Sequence, residues 1–149
     1  MNVRVIVKPD INTRKILTSR GIGASHDAEK FLAGVVRAFC DPYVPMDQGT
    51  LKNTARVVSA GNDVYVLYNQ PYAHYQYVGE VYGPNIPIRD KATGEIIGFY
   101  SPPVKHPTGR ELTYSGSPMR GRLWDRRMMA DRGDEVGMAL AGYVGGAYK

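Results

Sequence analysis

Apolar and polar positions along this 149-residue chain change period several times, and each change marks an element. Val3, Val5 and Val7 alternate with Asn2, Arg4 and Lys8, the two-residue period of a strand, and Pro9 breaks it. Residues 10–23 are ambiguous, with room for a short helix ended by Gly21 and Gly23. The period then lengthens. Ala28, Phe31, Leu32, Val35, Val36 and Phe39 fall on one helical face, which predicts a helix over 26–41. Ser25 is the expected N-cap, and Asp27 and Glu29 suit the positive end of the helix dipole. Pro42 and Pro45 stop the helix.

After the helix, Asp47-Gln48-Gly49-Thr50 reads as a turn in which Gly49 supplies the backbone freedom, and Thr50 opens a single helical turn to Asn53. Residues 55–59 and 64–68 read as strands joined at Ala60-Gly61-Asn62-Asp63. Pro71 starts a short helix over 72–78, ended by Gly79. Tyr72 and Tyr75, one turn apart, are expected to face the core, with Tyr77 and Tyr82 more exposed. Beyond Pro84 a second hairpin is expected, with strands at 86–89 and 95–100 and its turn at Lys91-Ala92-Thr93-Gly94. No period survives over 101–118, where Pro102, Pro103, Pro107, Gly109, Gly116 and Pro118 predict a long flexible loop. Trp124, Met128, Val136, Leu140 and Val144 lie at multiples of four and predict a last helix over 122–144, with a break at Arg132-Gly133.

The order is β-α-ββ-α-ββ-loop-α. That is an α+β fold: a small antiparallel sheet of two hairpins plus the N-terminal strand, flanked by helices at about 26–41 and 122–144. The length suits a single domain over 1–149. Seventeen glycines and ten prolines favour turns and long loops over a helical bundle. A single cysteine, Cys40, excludes an intrachain disulfide and any multi-cysteine metal site, and its place on the apolar helical face makes it a small buried hydrophobe. Residues 1–8 lack the apolar run of a signal peptide, and no stretch approaches the roughly 20 apolar residues of a membrane span. A soluble protein made in the cytoplasm, with no membrane partner, is therefore expected.

Chemistry is harder to find. His26, His74 and His106 are far apart and show no metal-ligand spacing. Ser25-His26-Asp27 has the residue types of a triad but not its geometry, and no phosphate-cradling glycine loop occurs. No enzyme activity, metal or cofactor is expected. Six tyrosines lie between 65 and 82, a composition that suits either a core or a contact surface. The net charge of +5 permits nucleic-acid contact without requiring it. Arg120, Arg122, Arg126, Arg127 and Arg132 fit a solvated helix face, or else a phosphate or acidic partner.

Together these motifs resemble a family. Pro45-Met46-Asp47-Gln48-Gly49-Thr50-Leu51-Lys52-Asn53 is similar to the P-x-D-T-G-x-L-R-x-S pattern of tailed-phage head–tail joining and tail-completion proteins. Tyr72-Ala73-His74-Tyr75-Gln76-Tyr77-Val78-Gly79 answers to the Y-A-x-Y-x-x-x-G motif that follows their hairpin. Pro71 to Tyr77, Gly79 to Pro84 and Trp124 to Met129 follow the order of minor capsid proteins of phages and prophages of Gram-positive bacteria. The resemblance spans roughly residues 26–145. Gln48 stands where threonine or serine is commoner, residues 2–24 match loosely, and 101–118 is a variable loop in such proteins.

The resemblance implies a non-enzymatic virion protein at the neck, between head and tail, built as a ring of about six or twelve copies. Its partners would be further copies of itself, the portal, adaptor or stopper and tail proteins, with nonspecific contact to packaged DNA. Pro45, Asp47, Gly49, Thr50, Leu51, Tyr72, His74, Tyr75, Gly79, Tyr82, Gly83 and Trp124 carry the motif and build the scaffold. Tyr77, Arg89, Lys91, Tyr100, Lys105, Arg110, Tyr114, Arg120 and Arg122 are the interface candidates. The alternatives are a basic nucleic-acid-binding module and, on scattered His, Asp and Tyr alone, a small hydrolase centred on His74.

Overall fold

The computed structural model describes residues 2–3, 20–21 and 23–146. The rest of the expected N-terminal strand and most of the ambiguous segment after it lie outside the described residues. The described elements run β1 (Asn2–Val3), α1 (Asp27–Cys40), α2 (Thr50–Asn53), β2 (Arg56–Ala60), β3 (Asp63–Leu67), α3 (Ala73–Val78), β4 (Glu80–Gly83), β5 (Ile86–Arg89), β6 (Ile96–Tyr100), β7 (His106–Glu111) and α4 (Trp124–Val144). The class is α+β, as the periodicities imply. The two expected hairpins lie in separate sheets: β1-β3-β2 form one, β5-β6 a second, and β4-β7 a third.

The buried residues among those described gather into one core cluster. Leu32, Ala33, Val36 and Cys40 of α1 face Val64 and Val66 of β3, and Trp124, Met128 and Val136 of α4 close the other side. The four-residue spacing read in α4 thus marks its buried face. Alternation also holds in β3, where Val64 and Val66 are buried and Asp63, Tyr65 and Leu67 are not. Burying each such side chain contributes about 1.5–3 kcal/mol. The break expected in α4 falls at Arg132, whose φ of −131° is not helical. The Arg132 guanidinium lies 3.7 Å over the Phe39 ring and forks onto Glu135, at 3.0 Å and 2.6 Å. Beyond it, Tyr143 stacks on Phe31 at 4.3 Å and holds the end of α4 against α1.

Ser25 does not cap α1. His26 occupies the N-cap in the left-handed region at φ 54°, and the Ser25 hydroxyl donates to Asp27 instead. The entering loop does the capping: the Ala28 amide donates to the Gly21 carbonyl at 2.8 Å, which leaves a side-chain cap little to do.

The largest departure is the loop expected over 101–118. It contains β7, which pairs antiparallel with β4 in the register Glu80↔Glu111, Tyr82↔Pro107 and Gly83↔His106, with a bulge between. Side chains supply part of the ladder. Thr108 Oγ1 donates to the Val81 carbonyl, and Glu80 accepts from the Gly109 amide. The sequence His106-Pro-Thr-Gly-Arg-Glu111 conceals the strand. Pro107 removes a donor, and Gly109 sits at φ 74°, where a bulge needs it.

Candidate interaction surfaces

The motif segment 43–83 builds a corner around Trp124. Tyr43, Val44 and Leu51 are buried, and Gly49 adopts φ 79° at the start of α2. In α3, Ala73 and Tyr77 lie four residues apart and share the inward face. Tyr77 packs edge-on to Trp124 at 5.0 Å and Tyr68 does the same at 5.2 Å, so the indole is clasped from two sides. This reverses the expected orientation of the tyrosines. Tyr72 and Tyr75 are 41% and 37% exposed, whereas Tyr77 packs against the core. The helix is six residues long, and Ala73 rather than Tyr72 sets its inward phase.

Buried polar tips line this corner, and Trp124 Nε1 and Asp125 Oδ1 have no hydrogen-bond partner there. Burial pushes the Cys40 thiol up to about 12, with nearby Asp125 adding to the effect. Burial also raises the hydroxyls of Tyr43 and Tyr77, with the nearby α4 carboxylates of Asp131 and Asp125 respectively adding to the effect. The thiol and the two hydroxyls are held neutral at ordinary pH.

Gly79 is the tightest point. It ends α3 at φ 80°, and a Cβ there would meet the Arg122 side chain at 2.7 Å and the Tyr114 hydroxyl at 3.0 Å. The Leu112 amide donates to its carbonyl, linking the end of α3 to the residue just after β7.

Several interface candidates are thus used within the chain. Tyr77 clasps Trp124, and the Tyr114 hydroxyl donates to the Gln76 carbonyl at 2.7 Å. Arg120 donates to the carbonyls of Asp41 and Val44, locking the segment before α4 onto the corner. Arg122 pairs with Glu111 at 3.2 Å. The arginine cluster read as one solvated face is therefore split, with Arg120 and Arg132 committed to the fold. Lys105 donates to Asn85 at the base of the second hairpin, and Arg110 remains exposed on β7.

Three surface features stand out among the described residues. A groove of about 500 Å³ runs between the 45–51 turn, Tyr72 and Gln76 of α3, and residues 113–115. The motif turn, with Asp47 and Thr50 exposed, is one of its walls. Beside it lies an aromatic patch in which Tyr75 and Tyr82 meet at 4.7 Å, with His74 against both at 5.7 and 6.4 Å. The third feature is the β5–β6 hairpin.

That hairpin stands off the core as an arm. Ile86, Ile88, Ile96, Ile97, Phe99 and Tyr100 are between 47% and 67% exposed. Its turn is set by Asp90, whose carboxylate accepts from the amides of Ala92 and Thr93 and is held below the usual range by those bonds. Arg89 closes the turn onto the Gly94 carbonyl, and Lys91 is exposed at the tip. The hairpin 86–100 as a whole is an expected contact element of the sequence, with Arg89, Lys91 and Tyr100 its named candidates. The signal for its apolar side chains was present: Ile96-Ile97 and Phe99-Tyr100 are apolar at consecutive positions, so both faces of the strand are apolar.

Among the described residues, no three His, Cys, Asp or Glu side chains converge as a metal site would require, and no helix is long and apolar enough to cross a membrane. Comparison of the chain with known protein families, with curated proteins and with solved structures gives no match.

Proposed function

We propose that this chain is a structural subunit of a tailed-phage particle, a minor capsid, head–tail connector or tail-completion protein that works by contact with copies of itself and with neighbouring neck proteins. The observation that carries the reading is the β5–β6 arm, a rigid-turned hairpin whose large apolar side chains are left in solvent by its own fold. A protein that acts alone gains nothing from such an arm, and a subunit of an assembly needs one. The motif order across residues 45–84 supports the same reading through its resemblance to neck proteins. In this reading the corner around Trp124 is the scaffold, the arm and the tyrosine patch make the contacts, and no catalysis is involved.

A nucleic-acid-binding role draws support from the net charge of +5 and from the arginines over 120–132, of which Arg126 is exposed. It is weakened where Arg120 and Arg132 spend their guanidinium groups inside the fold and Arg122 pairs with Glu111.

Cryo-electron microscopy of gradient-purified particles from a lysate in which this chain is expressed tests the proposal. Density for the chain in a ring between portal and tail is expected. Its absence from the particles, with the chain left in the soluble fraction, overturns the reading.

A further inference from the structure

We infer that the β5–β6 arm of one copy seats on the His74–Tyr75–Tyr82 patch of a second copy of the same chain. This rests on the self-assembling reading and specifies its contact.

The area comes first. At roughly 150–200 Å² for a fully exposed side chain of this size, the six large apolar residues of the arm leave on the order of 600 Å² in water. Summed over both faces of the arm, that approaches the roughly 800 Å² that each partner contributes to a standard interface. The tip of the arm is charged and polar, so the apolar surface is a band along the strands rather than a sticky end.

Geometry then selects the occupant. Ile86 pairs with Tyr100 and Pro87 with Phe99, so the arm has an Ile86–Ile88–Tyr100 face and a Pro87–Phe99 face, with a bulge beyond Ile88. Both are apolar, and an arm laid on a flat surface covers only one. Tyr82 lies in β4, four residues before Ile86. An arm seated on the patch of a second copy therefore lies against the root of that copy's own arm, and the second face is covered too. The patch is suited to receive it: Tyr75 and Tyr82 present large rings with polar tips, and neither belongs to the core cluster. Arm and patch are different surfaces, so each copy both gives and receives, the arrangement that propagates into a closed ring.

Disulfide trapping on the intact chain tests this. Cys40 is fully buried and does not compete. Ile88→Cys and Tyr75→Cys variants are purified separately, mixed, and oxidised, and the linked peptides are identified by mass spectrometry. A linkage between positions 88 and 75 that appears only in the mixture is expected; its absence overturns the inference. Independently, Ile97→Ser combined with Phe99→Ser is expected to raise the dissociation constant of self-association by about tenfold or more, measured by analytical ultracentrifugation. A chain that is monomeric at all concentrations, or an arm variant that assembles like the parent, also overturns it. The two proposals fail separately. A trapped 88–75 dimer from a chain missing from particles removes the neck reading and keeps the contact. A chain present in the neck whose arm variant assembles normally does the opposite.

Discussion

The chain has two regions that obey different rules. In one, comprising α1, the β2–β3 hairpin, α3 and α4, the buried apolar side chains of the described residues gather into one cluster. In the other, residues 80–111, two pairs of short strands leave the core, β7 is exposed at every position, and the largest apolar side chains face water. Two-stranded ribbons of this kind are marginal alone. They persist here because turn chemistry and side-chain hydrogen bonds fix them locally: Asp90 at the arm's tip, Lys105 on Asn85 at its base, Thr108 and Glu80 across β4-β7. The difference teaches that burial is concentrated in one part of this small chain, while the other leaves its apolar side chains in water. Substitutions should therefore split cleanly between the two.

The sharpest division is expected at Trp124. Trp124→Ala removes the ring clasped by Tyr68 and Tyr77 and should cost about 3–5 kcal/mol, read from urea unfolding. A loss below about 1 kcal/mol would mean that the corner is not the stabilising centre. Next comes Gly79→Ala. Left-handed strain together with the clash against Arg122 should cost about 2–4 kcal/mol and lower the thermal midpoint accordingly. Arg120→Met leaves two backbone carbonyls without their charged donor and should cost about 1–3 kcal/mol, again by denaturant unfolding.

A pH series probes the same region. The folded state holds the Cys40 thiol up to about 12, against an ordinary value of 9.0. The unfolded chain therefore ionises first. The stability that Cys40 contributes is present in full below pH 9 and is lost as pH rises towards 12. The slope should approach about 1.4 kcal/mol per pH unit from this one group, and Cys40→Ala should remove that component. A thiol reagent at pH 8 should label Cys40 only at the rate of global unfolding. The smallest effect belongs to the arm: Ile97→Ser with Phe99→Ser should change the stability of the dilute chain by no more than about 0.5 kcal/mol. A larger loss would show that the arm belongs to the core region after all, and would dissolve the comparison.

Much of the first region was legible in the chain. The helical periods of α1 and α4, the break at Arg132, the turn at Gly49 and the 56–67 hairpin all follow from local patterns, because each element's own residues carry its signal. The candidate surface was less so. Tyr72, Tyr75 and Tyr77 are equivalent in composition, and a six-residue helix has too little length to define its phase; packing of Tyr77 on Trp124 chose it. Arg120 reads as a surface charge until residues 76 and 79 positions away supply its acceptors.

By itself, then, the sequence determined the α+β class, the helical faces that form the core and the apolar doubling of the 96–100 strand. Those are properties of periodicity within one element. Only the tertiary structure decided that β7 exists, that the hairpins occupy separate sheets, which tyrosines face water and which arginines are spent inside. Each of these depends on a partner distant along the chain, as β4 is for β7 and Trp124 for Tyr77, and local spacing carries no record of a distant partner.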